Sequence, residues 1–340
     1  LVFTNAQALL GTTLAYWDYL ARVRRLEIAR DAEQRAMRLV EEIKKLIRDD
    51  QVPAADIQLV SASYAERLAA RIGAEQTLTE GRRALALQIG LSPERAAEMP
   101  LPMNEFPAFD EQAAHVDTKI AVLREDAIGR RADLEAARQR EQSARRRLIA
   151  ARSGLKPQLD VSLGVNYTSL VENRVPFAVG NVMGTNPAGP SILATLAAQL
   201  PARNSAAEGT FLAASAGLDA SSIRVNSLMD TIGNNVSASA LGLARAALQL
   251  VQSIETTRYY RLSVENERTK RRLGLATLID VINVEDRLTN ALLAEVQARQ
   301  SYASAIAQLR FEVGTLVVRR DDRFDVDVDS LFNPRFDTTH

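Results

Sequence analysis

Apolar residues recur at three- and four-residue spacing over very long stretches of this chain. Over residues 6–48 no proline interrupts the pattern, which includes Leu10, Trp17, Val23 and Ile43. Such spacing places apolar side chains along one face of an α-helix. At about 1.5 Å per residue this helix would be roughly 65 Å long. Its apolar face therefore needs a partner helix of similar length.

The same periodicity predicts further long helices after short breaks. The breaks at 49–53 and 273–277 each separate two periodic segments, and residues 91–110, which contain four prolines, form an irregular connector. The second and the last helix each stop at a glycine, the residue that most easily ends a helix in the left-handed conformation. The predicted helices cover about 54–89, 111–153, 222–272 and 278–313.

Two parts of the chain repeat in register. Residues 50–91 and 274–315 match at a constant offset of 224 residues. In both copies a long periodic segment follows a short non-helical break. The pattern therefore indicates two tandem repeats of long helical hairpins, the first one incomplete. The matched pairs include Asp56–Asp280, Leu68–Leu292, Leu85–Leu309 and Gly90–Gly314.

Strict alternation of apolar and polar residues marks a strand at 159–167. The alternation is typical of a strand, and also of a membrane β-barrel strand with its apolar side toward lipid. A weaker strand is predicted at 210–219, after an apolar patch at Ile192–Leu200, so that a β-hairpin occupies about 157–219. The apolar, candidate lipid-facing residues of the first strand are Leu159, Val161, Leu163, Val165 and Tyr167.

Composition excludes several classes of function. Among the 340 residues, 42 basic and 42 acidic side chains give zero net charge, which argues against general nucleic-acid binding. The absence of cysteine excludes disulfides, thiolate metal sites and cysteine nucleophiles. No phosphate-binding loop, dinucleotide fingerprint or zinc-spaced ligand set occurs. We therefore expect no enzyme activity, no catalytic or metal site and no cofactor.

Basic residues form two short runs, Arg130–Arg131 and Arg145–Arg147. Acidic residues, among them Asp133, Glu135 and Glu141, interleave with them. Alternating charge of this kind is typical of a solvated helix face. We expect these runs to face solvent.

Several short stretches together resemble the TolC-type outer membrane efflux family. Residues 274–281 are similar to the family's periplasmic tip motif, and 50–57 are its degenerate counterpart. Residues 151–161, with Pro157, resemble the helix-to-strand junction before the second β-hairpin. Residues 15–20 resemble the opening of the first periplasmic hairpin. The resemblance runs from about residue 6 to residue 315.

The resemblance implies a fold and a function. It implies a mainly α protomer with a small β part, in which antiparallel coiled-coil hairpins build an α-barrel across the periplasm. A two-stranded hairpin contributes to a shared β-barrel in the bacterial outer membrane. Three protomers would form an outer-membrane exit duct of a tripartite efflux or type I secretion system. Its partners would be a periplasmic adaptor, an inner-membrane pump and outer membrane lipid.

The chain departs from the family pattern at its beginning. The family contributes four strands per protomer, whereas this sequence predicts two, and the first helix and first β-hairpin would precede Leu1. The resemblance therefore implies an N-terminally truncated portion of a longer exporter. The resulting domain division is a first repeat with its connector at 1–110, a second repeat at 111–316, with its helical hairpin at about 222–314, and a charged tail at 317–340.

The resemblance also implies a constriction at the helix tips. Asp280, with Asn283 and Asp56, would ring the gate, and three symmetry-related carboxylates would favour cations. The alternative is that Asp280 only stabilises the first turn of its helix through the helix dipole.

The turns at the two tips are candidate adaptor-docking surfaces. Exposed small and apolar side chains there could contact the adaptor. The alternative is ordinary turn chemistry, in which glycine supplies a positive φ and proline starts a helix. The residues concerned are Gln51, Val52, Pro53, Gly274, Leu275 and Ala276.

A second function remains open from the sequence, a soluble periplasmic or cytosolic coiled-coil scaffold without transport activity. Residues 157–220 distinguish the two. An apolar strand face that points outward favours the duct, whereas one buried within the protein favours the scaffold.

Overall fold

Long helices dominate the chain, as the periodicity predicts. The computed structural model describes residues 2–167, 190–199, 204–320 and 323–336. None of the helices in these ranges is long and apolar enough to cross a membrane. The helices are α1 (Val2–Arg48), α2 (Asp56–Gln88), α3 (Pro93–Ala97), α4 (Glu111–Ala114), α5 (Ile120–Arg130), α6 (Ala132–Ser153), α7 (Ser205–Arg272) and α8 (Leu278–Val313). The strands are β1 (Gln158–Tyr167), β2 (Pro190–Gln199), β3 (Val318–Arg320) and β4 (Arg323–Asp325).

The chain divides into two compact units. The first combines the residues up to Leu134 with those from Leu228 onward, and the second spans Glu135–Ser227. The candidate gate lies in the first unit and the β1–β2 hairpin in the second.

In the first unit, α1 packs along α2 and α8 and buries the apolar stripe that its sequence predicts. Near one end of α1 a core cluster forms around Val40, Ile43, Val60 and Ile282. Farther along, Trp17 is almost fully buried against neighbouring apolar side chains. Burial of a large apolar side chain contributes about 1.5–3 kcal/mol, so this seam holds the long helices side by side.

The repeat extends to the backbone geometry of the helix ends. Among the described residues, positive φ angles occur at two pairs of positions that are each 224 residues apart, Asp50 with Gly274 and Gly90 with Gly314. The N–H of the following residue donates at 2.9 Å to a carbonyl five residues back in every case. The donor–acceptor pairs are Gln51–Leu46, Leu275–Lys270, Leu91–Ala86 and Thr315–Arg310.

The prediction of one helix over 111–153 is wrong. That stretch contains α4, a 3-10 turn at Val116–Lys119, α5 and α6, and the last break falls at Arg131, with ψ 115°. The guanidinium of Arg131 is buried, so the expectation that this basic run faces solvent is wrong for Arg131. It donates to Glu312 and to Asp133, at 2.7 Å each. Burial alone would lower the pKa of Arg131, but the two carboxylates outweigh it and raise the pKa. No proline marks this break, and Gly129 lies two residues before it, inside the last turn of α5. The buried ion pairs of Arg131 hold the chain in its extended conformation there.

The prediction of a strand at 210–219 is also wrong. The second strand is β2 at Pro190–Gln199, which overlaps the stretch identified only as an apolar patch, and residues 210–219 belong to α7. Leu193 and Ala197 lie on the otherwise polar side of β2, so its alternation is hidden. The alanine-rich stretch at 210–219 favours helix, because alanine has the highest helix propensity. The part of the predicted hairpin at 168–189 lies outside the described residues.

The β1–β2 hairpin has one apolar face that is open to its surroundings. Leu159, Val161, Leu163 and Val165 are between 64% and 76% exposed, as the alternation predicts. The side chain of Tyr167, predicted on the same face, lies outside the described part of the chain. An outward apolar stripe is the outcome expected for the duct rather than for the scaffold. Antiparallel register adds Ala198, Leu196, Ala194 and Ile192 of β2 to this face.

Part of the predicted charged tail packs against α8 and is hydrogen-bonded to it. Arg310, buried on α8, donates to the carbonyl oxygens of Asn333 at 2.9 Å and Arg335 at 3.1 Å. Its guanidinium lies over the ring of Phe336, and burial lowers its pKa. Arg335 in turn pairs with Asp110 at 2.9 Å. The tail thus connects the end of α8 with the segment before α4.

Candidate gate at the helix tips

Two helix tips border a cleft of about 1010 Å³ in the first unit. One tip joins α1 to α2 and the other joins α7 to α8. The cleft walls carry both signs of charge, including Arg38, Arg272, Glu42 and Asp56. Asp56, one of the predicted gate residues, lies in the first turn of α2, is half-buried and faces this cleft.

The second tip is closed by a capping box between Thr277 and Asp280. The Thr277 hydroxyl accepts from the backbone N–H of Asp280 at 3.2 Å. The Asp280 carboxylate accepts from the Thr277 N–H at 2.9 Å and from its hydroxyl at 2.6 Å. Such a box satisfies donors that a helix start otherwise leaves unpaired. The fold therefore uses Asp280 as a cap, whatever further role it has.

The cap also favours the ionised form of Asp280. Its hydrogen bonds from the Thr277 side chain and backbone lower the pKa of the Asp280 carboxyl. The group is therefore ionised at neutral pH. Both bonds use Oδ2, and no hydrogen bond from a described residue reaches Oδ1. Asn283, the other predicted gate residue on α8, is exposed.

The predicted docking residues divide into exposed and packed ones. Leu275 is 75% exposed, and Gly274, with φ 75°, lies beside it. Gln51 and Pro53 are exposed at the first tip. Val52 is half-buried and packs against the Val40 and Ile43 cluster, and Ala276 is half-buried as well. The structure therefore does not expose all six residues equally.

An ion-pair cluster that the sequence pattern does not predict lies next to the tips. Glu285 on α8 accepts from Arg35 Nε of α1 at 3.0 Å and from Arg268 Nε of α7 at 3.0 Å. We name these three residues the Glu285 cluster. Arg35 also donates to Thr289 at 3.4 Å. One carboxylate thus joins three helices that belong to two different hairpins.

Further charged pairs continue along the same seam. Arg67 of α2 pairs with Asp286 of α8, and Arg71 of α2 pairs with Glu33 of α1 at 2.6 Å. Burial lowers the pKa of Arg67. Over the described ranges, no three His, Asp or Glu side chains gather closely enough to hold a metal ion. The charged groups at the tips therefore bind one another across the helices.

Comparison with known proteins agrees with this architecture. The family model described as outer membrane efflux protein matches residues 123–315, more than half of the chain. The chain is 26% identical to outer membrane protein TolC of Vibrio cholerae over 315 aligned residues. This alignment covers 92% of the chain and 69% of TolC.

Solved structures share the fold. The outer membrane protein VceC of Vibrio cholerae superposes with a TM-score of 0.74 at 18% identity, over 92% of this chain and 71% of VceC. A membrane protein from Pseudomonas aeruginosa gives 0.73 at 15% identity, over 92% of this chain and 69% of that protein. The chain belongs to the outer membrane efflux protein family, whose channels lie in the bacterial outer membrane with their helical part in the periplasm.

Proposed function

We propose that this chain is the subunit of a homotrimeric, passive exit duct in a tripartite efflux or type I secretion system. A periplasmic adaptor would dock at the tips, and an inner-membrane pump would supply the energy. The observation that carries the proposal is the pair of matched helical hairpins whose tips border one charged cleft, with a carboxylate that joins them. A conduit needs no catalytic group, only a closure that can open.

The proposed closure is an iris. The α7–α8 hairpin moves relative to the α1–α2 hairpin, and the Glu285 cluster holds the closed arrangement, because Arg35 lies on one hairpin and Arg268 on the other. If the two hairpins move apart on opening, the ion pair between Arg35 and Glu285 must break. If the pair stays intact, α1 and α8 must move together. Two-state elements of this kind respond to any partner that binds one arrangement more tightly.

Adaptor docking is proposed for the exposed part of the tips. Leu273 and Leu275 are 68% and 75% exposed beside Gly274, where a partner helix can approach the backbone closely. Apolar side chains at such exposed ends commonly mark interaction sites. Val52 and Ala276 would support the turn rather than contact the adaptor.

The apolar face of the β1–β2 hairpin is proposed to contact lipid. Each strand has ten residues, within the 9–11 that a tilted strand needs to span a bilayer. Leu159, Val161, Leu163 and Val165 would face the acyl chains.

Asp280 is proposed to supply the negative ring at the constriction. We expect Asp280→Ala to abolish block of reconstituted trimers by a trivalent cation and to change their leak, because it removes three charges. Thr277→Ala is the matched variant, since it weakens the cap by about 1 kcal/mol while the carboxylate remains. Single-channel recording in planar bilayers measures both quantities.

The pair of variants separates the two roles of Asp280. If Thr277→Ala keeps cation block while Asp280→Ala loses it, the charge itself forms the gate. Unchanged block in Asp280→Ala would remove the gate assignment and leave only the cap. Loss of block in both variants would assign the effect to the shape of the tip.

A further inference from the structure

The charges of α6 are segregated along its length. The first half carries Asp133, Glu135 and Glu141 among its arginines. From residue 142 to the start of β1 no acidic residue occurs, so the interleaving noted in the sequence ends there. The basic residues of this segment, here named the junction basic cluster, are Arg145, Arg146, Arg147, Arg152 and Lys156.

The side chains of the junction basic cluster are exposed, and they form few ion pairs with the residues that the structure describes. Arg145 is paired with Glu141 at 3.6 Å only, and its side chain remains 67% exposed. Within the part of the chain that the structure describes, Arg146, Arg147, Arg152 and Lys156 form no ion pair. Ion pairs with the described residues therefore do not account for the clustering of these five basic side chains.

An exposed apolar side chain lies among these arginines. Ile149 is 65% exposed on α6. Arg145 and Arg146 lie one helical turn before it and Arg152 one turn after it, on the same side of the helix. An apolar residue flanked by long basic side chains is typical of a helix surface at a membrane interface, where the aliphatic stems pack and the charged ends reach phosphate.

The position of the cluster along the chain matches such an interface. Lys156 is two residues before β1, and the side chain of Asn204, just before α7, donates to the carbonyl of Gly154 at 3.3 Å. Both helices therefore leave the hairpin at the same end. At 1.5 Å per residue, Arg145 lies about 12 Å along α6 from Ser153. The headgroup region is about 5–8 Å thick on each side, so Arg152 and Lys156 fall within this depth and the run at 145–147 lies a few ångströms below it.

We propose that the junction basic cluster binds the phosphate groups of anionic phospholipids in the periplasmic leaflet of the outer membrane. The proposal rests on the outer-membrane placement of the chain, in which the hairpin is in lipid and the helices are periplasmic. Free phosphate offers the same chemistry, but it lacks the apolar chains that continue onto Ile149 and the hairpin face. A lipid satisfies both kinds of contact at once.

The test compares two triple variants of the full-length protein in vesicles. Arg146→Gln, Arg147→Gln and Arg152→Gln together remove the central charges. The control replaces three exposed basic residues without a described ion pair far from the hairpin in sequence, Lys45→Gln, Arg261→Gln and Arg287→Gln. Spin-labelled phosphatidylglycerol and phosphatidylcholine report the relative association of each lipid with the protein.

Wild type and control are expected to prefer phosphatidylglycerol, and the junction triple variant to lose at least about fivefold of that preference. Each basic side chain near an anionic surface strengthens binding by about that factor. The preference should fall at 0.5 M salt, and 10 mM inorganic phosphate should not displace the lipid. A triple Arg→Lys variant at the same positions should keep most of the preference, which excludes a folding effect.

Two results would overturn the inference. One is an equal preference for phosphatidylglycerol in wild type and junction triple variant. The other is displacement of bound phosphatidylglycerol by 10 mM inorganic phosphate. Loss of trimers in the junction variant at unchanged lipid preference would assign the cluster to a second copy instead. Failure of the wild-type protein to insert into vesicles would contradict the proposed duct, so the two failures are distinguishable.

Discussion

Glu285→Gln is expected to raise ion leak through closed trimers by about tenfold to a hundredfold. The side chains of Glu285 and Arg35 are only 18% and 16% exposed, so water replaces their attraction incompletely. Hydrogen bonds to charged groups contribute about 1.5–3 kcal/mol, and partial exposure reduces this to about 1 kcal/mol for each protomer. In the proposed trimer three copies act on one closure, and about 1.4 kcal/mol changes an equilibrium tenfold.

The matched control for this variant is Glu255→Gln. Glu255 pairs with Arg258 at 2.6 Å on the same helix, so its removal changes a local contact and joins no hairpins. Leak is measured as single-channel conductance at low voltage and as antibiotic entry into cells. The double variant Arg35→Gln with Glu285→Gln should leak less than the sum of the two single effects predicts. The reason is that each single variant already removes the same ion pair. Equal leak in Glu285→Gln and Glu255→Gln would show that the cluster does not hold the closed arrangement.

Arg131→Met is expected to lower the free energy of unfolding by about 3–5 kcal/mol. The variant leaves the Glu312 carboxylate, only 7% exposed, without its cation, and removal of one partner from a buried pair typically costs this much. Contacts of the guanidinium with the rings of Phe3 and Phe311 are lost as well. Thermal unfolding in detergent, followed by circular dichroism, should show a midpoint lower by several degrees.

The control for the stability prediction is Arg140→Met, an exposed position on α6, which should leave the midpoint unchanged. The double variant Arg131→Met with Glu312→Leu removes the stranded charge and should recover at least half of the loss. A midpoint of Arg131→Met within one degree of wild type would show that solvent reaches Glu312 and that the pair contributes little.

Local sequence features predict the existence of the long helices and most of their C-terminal ends, but the start of α7 lies at Ser205 and not at the predicted residue 222. Gly90, Gly274 and Gly314 end helices at the expected positions because each has a positive φ that favours glycine. They do not predict the break at Arg131, because its cause is a partner 181 residues away in sequence. They also miss β2, where Leu193 and Ala197 interrupt the apolar–polar alternation. In both cases the local structure is set by pairing with residues that are distant in sequence.

The candidate gate was predictable in its position but only partly in its chemistry. The tip turns and the acidic residue at 280 follow from the repeat and the family resemblance. The Glu285 cluster does not follow from either of them. The two arginines that satisfy it lie 250 and 17 residues away, so sequence spacing could not identify them.

The repeated geometry of the helix ends has a consequence for which positions can vary. At each tip the reversal of the chain is held by peptide N–H and carbonyl groups at identical spacing, and Asp50 takes the role at one tip that Gly274 takes at the other. Because these bonds do not involve the outward side chains, substitution at those positions leaves the path of the backbone intact. The two copies of the repeat can therefore carry different recognition surfaces on the same backbone path.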